Sequence, residues 1–133
     1  MIPWTWLDDR DALAVHARSL MLHGGAAGVR DVTLLHSALA RPRQLAACAE
    51  RADVVDLAVA YTGGIVKNHP FIDGNKRTGF IIGILFLELN GANFNASEAD
   101  AAQAVLGLAA GTLDEPGYGA FLRANLELGG RQP

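Results

Sequence analysis

The sequence predicts an all-α fold, and three observations carry that expectation. Apolar residues recur at helical spacing, residues that start and stop helices bracket the apolar stretches, and no strand-like alternation persists. With 133 residues, half of them apolar, the chain is long enough for a hydrophobic core and is expected to form one domain over residues 1–133. That domain is read as a compact bundle of about six helices. Residues 1–6 are read as an N-terminal arm and residues 129–133 as a flexible tail.

The elements follow in order. Leu13, Ala17, Leu20 and Met21 fall at i, i+4, i+7 and i+8, the face of a first helix that "HGG" at 23–25 stops. Asp31 is placed to cap a second helix carrying Leu34, Leu35, Ala38 and Leu39, which Pro42 is expected to end. A third is expected soon afterwards within "RQLAACAERADVVDLAVAYTGGIV", residues 43–66, with Gly63 and Gly64 weakening its far end. "KRTGFIIGILFLELNG", residues 76–91, is apolar on nearly every side, so it is expected to be a buried central helix closed by Asn90 and Gly91. Ser97 and Asp100 form a capping box for a helix running to about Gly111. Pro116 suits the first turn of a last helix through Phe121, Leu122 and Leu126, closed by Gly129 and Gly130.

Composition excludes several classes. The net charge of −3 offers no basic excess or stripe of the kind nucleic-acid binders use, and Arg41-Pro42-Arg43 is too short for such a patch. The longest uncharged apolar run, Gly79 to Leu87, falls far short of the roughly 20 residues that span a bilayer. No signal peptide is evident, and the single cysteine, Cys48, permits no intrachain disulfide, so a reducing cytoplasm is expected. Cys48 sits among alanines and is read as an inert buried thiol. Trp4 and Trp6 are read as packing the N-terminal arm. His16 and His23 share a helix face, but two ligands do not close a metal site.

The densest polar cluster, "KNHPFIDGNKRTGF" at 67–80, runs straight into the most apolar segment. With a helix starting near Asn75, His69 to Gly74 form a tight loop leading into it. The first N–H groups of a helix lack intrahelical acceptors and carry partial positive charge, which makes an anion site. Gly74 allows close backbone approach, and Lys76 and Arg77 add full charges where the dipole disfavours them. Asp73 offers a hard oxygen ligand suited to Mg²⁺. His69 is the side chain here able to take a proton near neutral pH. Phe71 reads as an apolar plug that pins the loop to the core. Each piece has a plainer reading: a loop histidine is usually structural, and Asp-Gly is most often just a turn. Together they describe a phosphoryl- or nucleotidyl-transfer site. Lys67 is read as a solvated helix end rather than part of the cationic mouth.

His69-Pro70-Phe71-Ile72-Asp73-Gly74-Asn75-Lys76-Arg77 resembles the signature of the Fic/Doc superfamily, whose Fic branch reads H-P-F-x-(D/E)-G-N-G-R-x-x-R. "RDVTLLHSALARP" at 30–42 and "LFLELNG" at 85–91 resemble the companion segments of the death-on-curing (Doc) branch. Two departures from the Fic pattern matter: Lys76 replaces a glycine and Phe80 a second arginine. The Doc branch shares the lysine, and the resemblance implies that ATP binds in reverse, its γ-phosphate meeting the histidine. The implied activity is that of a toxin kinase modifying a threonine of elongation factor Tu and stalling translation. Residue by residue, the resemblance implies that His69 removes the proton from the target hydroxyl and Asp73 holds Mg²⁺. It implies that Gly74, Asn75, Lys76 and Arg77 hold the phosphates of ATP. The region from Gly24 to Gln44 is a candidate flap for the target protein.

Many Fic proteins inhibit themselves through (S/T)-x-x-x-E-(G/N), yet none of Glu50, Glu88, Glu98, Glu115 and Glu127 precedes glycine or asparagine. As in the Doc branch, inhibition is therefore expected from a separate antitoxin that binds as a helix in a groove. Two alternatives stand beside the kinase: an AMP-transferase of the wider Fic class, and a catalytically silent antitoxin-binding module.

Overall fold

Six helices and one short ribbon make up the computed structural model, which describes residues 3–127. In chain order they are α1 (Asp9–His23), α2 (Val32–Cys48), α3 (Val54–Asn68), α4 (Asn75–Leu89), β1 (Asn93–Phe94), α5 (Glu98–Ala110), α6 (Glu115–Ala124) and β2 (Leu126–Glu127). The fold is all-α apart from the antiparallel β1–β2 pair, which joins Phe94 to Leu126 and Asn93 to Glu127. No helix among the described residues is long and apolar enough to cross a membrane.

Local chemistry sets most boundaries. Five helices start on a side chain that accepts a first-turn amide: Asp8, Asp31, Asp53, Ser97 and Asp114. Gly24 closes α1 and Asn90 closes α4, as expected, and Pro116 lies in the first turn of α6. The arm packs as expected, with Trp4 and Trp6 against Phe86 at 6.0 and 5.7 Å and Arg43 over the Trp6 ring.

Helices α3 and α4 form the centre. From Leu57 to Val66 every residue of α3 is buried, and α4 lays Thr78, Gly79, Ile82, Gly83 and Phe86 against the core. The two helices approach closely because α4 presents glycine one turn apart. A Cβ on Gly79 would lie 3.2 Å from the Thr62 carbonyl, and one on Gly83 would overlap the Thr62 hydroxyl. That hydroxyl donates to the Gly79 carbonyl at 2.8 Å, tying the helices together at the crossing. Of the two, α3 is the more enclosed.

Several expectations are corrected. The buried face of α1 is Ala12, His16 and Ser19; Leu13 is 41% exposed and Met21 84%. Small residues there let α1 lie close to its neighbours, which outweighs the larger apolar face. Pro42 does not end α2, which continues to Cys48, so "RQLAAC" belongs to α2 and α3 begins after Asp53. Pro42 cannot donate to Ala38, four residues earlier. The Ala38 carbonyl instead lies against α3, 3.1 Å from where a Cβ on Gly64 would sit. Gly63 and Gly64 thus do not fray α3: both are buried contact points. Cys48 is exposed, at the end of α2. Leu126 belongs to β2, not to α6. The tail expected at 129–133, with the closing Gly129 and Gly130, lies outside the described residues.

Gly83→Ala is expected to destabilise the fold by about 1–3 kcal/mol through overpacking, since the added methyl meets Thr62 and the Ala58 carbonyl. Thermal unfolding checks this, and a Thr62→Ala background, which removes the clashing hydroxyl, is expected to recover part of the loss.

Candidate phosphate site and its family

The loop between α3 and α4 is braced from inside. Asn75, the first residue of α4, is buried, and its amide does two jobs: Oδ1 accepts from the Phe71 N–H at 2.9 Å, and Nδ2 donates to the Phe71 carbonyl at 2.8 Å. Phe71 is fully buried, and its ring stacks on His16 at 3.9 Å with 9° between planes. The Nε2 of His16 donates to the Asp73 carbonyl at 2.8 Å.

A second segment clasps the loop from the other side. Residues 24–31 run antiparallel to it, with a bridge between Val29 and Phe71. Ile72 donates its N–H to the Gly28 carbonyl at 3.0 Å, and Arg30 and Asp31 donate theirs to the Pro70 carbonyl at 2.6 and 3.0 Å. Arg30 also donates from Nε to the His69 carbonyl and from Nη2 to the Asn68 carbonyl. These bonds hold the C-terminus of α3, where His69 sits in the left-handed region at φ 53°. Of the candidate flap from Gly24 to Gln44, residues 24–31 form this segment and the rest, from Val32 onward, is helix, as its composition suggested.

Asp73 is exposed, yet its carboxylate is oriented. Oδ2 accepts from the Ala26 N–H at 3.1 Å and Oδ1 from the Gly74 N–H at 2.8 Å. The Ala26 amide, and then that of Gly74, hold its carboxyl below the ordinary value of 3.8. A carboxylate that stays ionised and retains unused lone pairs fits one ligand of a Mg²⁺ ion whose other ligands are phosphate oxygens and water. Among the described residues, no group of three or more metal-ligating side chains forms a cage of its own.

The start of α4 differs from the other five. Gly74 occupies the cap position at φ 80°, no side chain caps the turn, and the first backbone bond runs from Thr78 to the Gly74 carbonyl. Among the described residues, the N–H groups of Asn75, Lys76 and Arg77 have no protein acceptor. The first turn holds cations where most of the other helices carry Asp or Glu.

The sequence-based residues are thus partly gathered. Asp73, Gly74, Asn75 and Phe71 form one braced unit. Lys76 and Arg77 line a groove of about 550 Å³ with His23, Phe80, Val105 and Leu106. His69, exposed at the far end of the loop, does not line that groove. The Asn75 side chain, expected to face phosphate, turns inward to Phe71 instead, which leaves its backbone N–H as the outward group. Lys67 is not simply solvated: it pairs with Glu115 at 2.8 Å, and Glu115 also pairs with Arg41. Burial pushes Glu115 up, but hydrogen bonds from Arg41 and Lys67 outweigh it and leave the carboxyl below its ordinary 4.5.

Sequence reasoning weighed His16 only as a metal ligand and missed that it and Arg30 bond to the loop. Ala12 and Ser19, small residues at i−4 and i+3 from His16, mark a close-packed face and were the available signal. Arg30 carries no such signal, since its partners lie 38 and 39 residues away.

Residues 6–87, which span the flap, the loop and nearly all of α4, match the family described as Fic/DOC. The chain belongs to the Fic/Doc family. The Toxin Doc of Mycolicibacterium smegmatis is 33% identical over 100 residues, covering 71% of this chain and 75% of that protein. The Protein kinase doc of Escherichia phage P1 is 27% identical over 85 residues, covering 64% of this chain and 68% of that protein. Both relatives belong to the Doc branch of the Fic/Doc family, and so does this chain.

Asn75→Ala is expected to cost about 1–3 kcal/mol, because it strands both Phe71 backbone groups in a buried site. Asn75→Asp keeps the acceptor but loses the donor, and is expected to recover less than half of that loss. Chemical denaturation of the two variants checks the order.

Proposed function

We propose that this Fic/Doc protein is a toxin kinase that transfers the γ-phosphate of ATP to a hydroxyl of a translation factor, with elongation factor Tu as the expected target. The observation that carries this reading is the uncapped start of α4, where three unpartnered N–H groups stand beside Lys76 and Arg77. A helix start of this kind favours a polyanion, and the two side chains add full charge. His69 takes the proton from the target hydroxyl as its oxygen attacks the γ-phosphorus, and ADP departs. The N–H groups of Asn75, Lys76 and Arg77, together with the two cations, receive the charge that develops on the phosphates. Asp73 would hold Mg²⁺, which would offset the charge on the phosphates. Phosphoryl transfer of this kind depends mostly on positioning and charge, which suits a loop braced on both sides.

Kinase chemistry is favoured over AMP transfer by two positions. Lys76 puts a side chain and a cation where AMP-transferases have glycine. Phe80, in place of a second arginine, meets the edge of Phe94 at 5.9 Å and belongs to an aromatic cluster. The name Protein kinase doc of the phage relative supports the same choice.

ATP labelled at the α or the γ position separates the readings. Label from γ alone is expected; label from α would mean AMP transfer, and neither would leave a silent binding module. His69→Ala is expected to lower transfer by at least about 10²-fold with an unchanged melting temperature, because the side chain is exposed. Growth arrest that persists in this variant would overturn the catalytic assignment.

The partner is an antitoxin helix, and the groove beside Lys76 suits it. Phe80, Ile81 and Val105 give an apolar floor, and Lys76 and Arg77, against the single carboxylate of Glu98, leave the rim net cationic for an acidic amphipathic helix. Leu106→Glu is expected to weaken antitoxin binding tenfold or more while leaving γ-transfer by the free protein intact. Unchanged affinity in a titration would move the helix to another surface.

A further inference from the structure

We propose that His16 is a positioning residue of the phosphate site, acting through the Asp73–Gly74 peptide and never touching the nucleotide. The inference rests on the kinase reading above and deepens it. His16 is 5% exposed and lies on α1, far in sequence from the motif. Nothing in the transfer step uses it. A buried imidazole is a costly way to fill space, since its polar atoms must find partners, and an aliphatic side chain would fill the same face without that demand. Here one polar atom has a specific partner. A carbonyl can only accept, so Nε2 carries the proton in the 2.8 Å bond to Asp73, a contact spanning 57 residues of sequence.

That bond orients a peptide with consequences on both sides. With the Asp73 carbonyl held inward, the Gly74 N–H points the other way and bonds its neighbour's carboxylate at 2.8 Å. The same peptide therefore sets the position of the proposed Mg²⁺ ligand and the entry angle of α4. Gly74, already at φ 80°, offers little intrinsic resistance to rotation of that peptide. Resistance comes from outside, from His16 at the Asp73 carbonyl and from Ala26 at the Asp73 carboxylate. The imidazole ring completes the hold: it stacks on Phe71 and lies 3.8 Å from where a Gly74 Cβ would be.

Three variants test this. His16→Leu keeps an apolar body and removes the donor. His16→Gln keeps an N–H able to reach the carbonyl, and His16→Asn keeps an amide too short to do so. In γ-labelled transfer, His16→Leu is expected to lose roughly tenfold to a hundredfold in kcat, the size of effect a misplacement of about 1 Å produces. Hydrogen exchange at the Ala26 and Gly74 amides, both bound to Asp73, is expected to quicken tenfold or more. His16→Gln is expected to restore most of both, with a smaller change in KM for ATP than in kcat throughout. Should His16→Leu fail to fold, the contrast between His16→Gln and His16→Asn decides in its place. Equal impairment of the amide variants, or unchanged exchange in His16→Leu, would overturn the proposal. A wild-type protein that transfers no γ-phosphate would remove the kinase reading, while the exchange contrast would still decide whether His16 holds the loop.

Discussion

The close crossing of α3 and α4 is the constraint on which the rest depends. Two glycines a turn apart let α4 settle against Thr62, and Thr62 ties back to the Gly79 carbonyl. Once those helices are fixed, the loop between them has little freedom in where it begins and ends. His69 must terminate α3 and Asn75 must start α4, so the spacing of the candidate base and the candidate anion site follows from helix packing. The motif is in this sense the connection between two packed helices.

The loop divides its labour by direction. Side chains that could have reached outward, Asn75 and Phe71, turn into the core, where the Asn75 amide satisfies the Phe71 backbone. The amides of the first turn of α4 are left outward and unpartnered, at a helix end that elsewhere in the chain is closed by a side-chain oxygen. An uncapped helix carrying two cations in its first turn is unfavourable on its own, and an anion is what relieves it. Stability has been set aside at one helix start of six, the one that ends the loop begun by His69.

What could be read in advance was chemistry local to the chain. Asp31, Ser97, Gly24, Asn90 and Pro116 each act on neighbours within a few residues, and each falls where its side chain or backbone preference puts it. The motif from His69 to Arg77 was legible for the same reason: its loop and helix start are one contiguous stretch. Misread features all depend on distant partners. Pro42 stays inside α2, where the Ala38 carbonyl packs against α3, and a sequence does not display which helix lies alongside. The face of α1 was assigned to its larger apolar residues, whereas close packing selected the small ones around His16. Lys67 looked like a free surface cation until Glu115, 48 positions later, took it up (115 − 67 = 48). Leu126 continued a helical pattern that its pairing with Phe94 ended.

The order of these parts along the chain has its own consequence. Everything that steadies the loop from without, His16 on α1 and the strand-like segment with Ala26, Val29 and Arg30, precedes it by between 39 and 57 positions. During synthesis those groups emerge before the motif they steady. A copy of this gene whose reading frame opened after Asp31 would still encode every residue of the nonapeptide, yet would keep only the inner brace of Asn75 on Phe71.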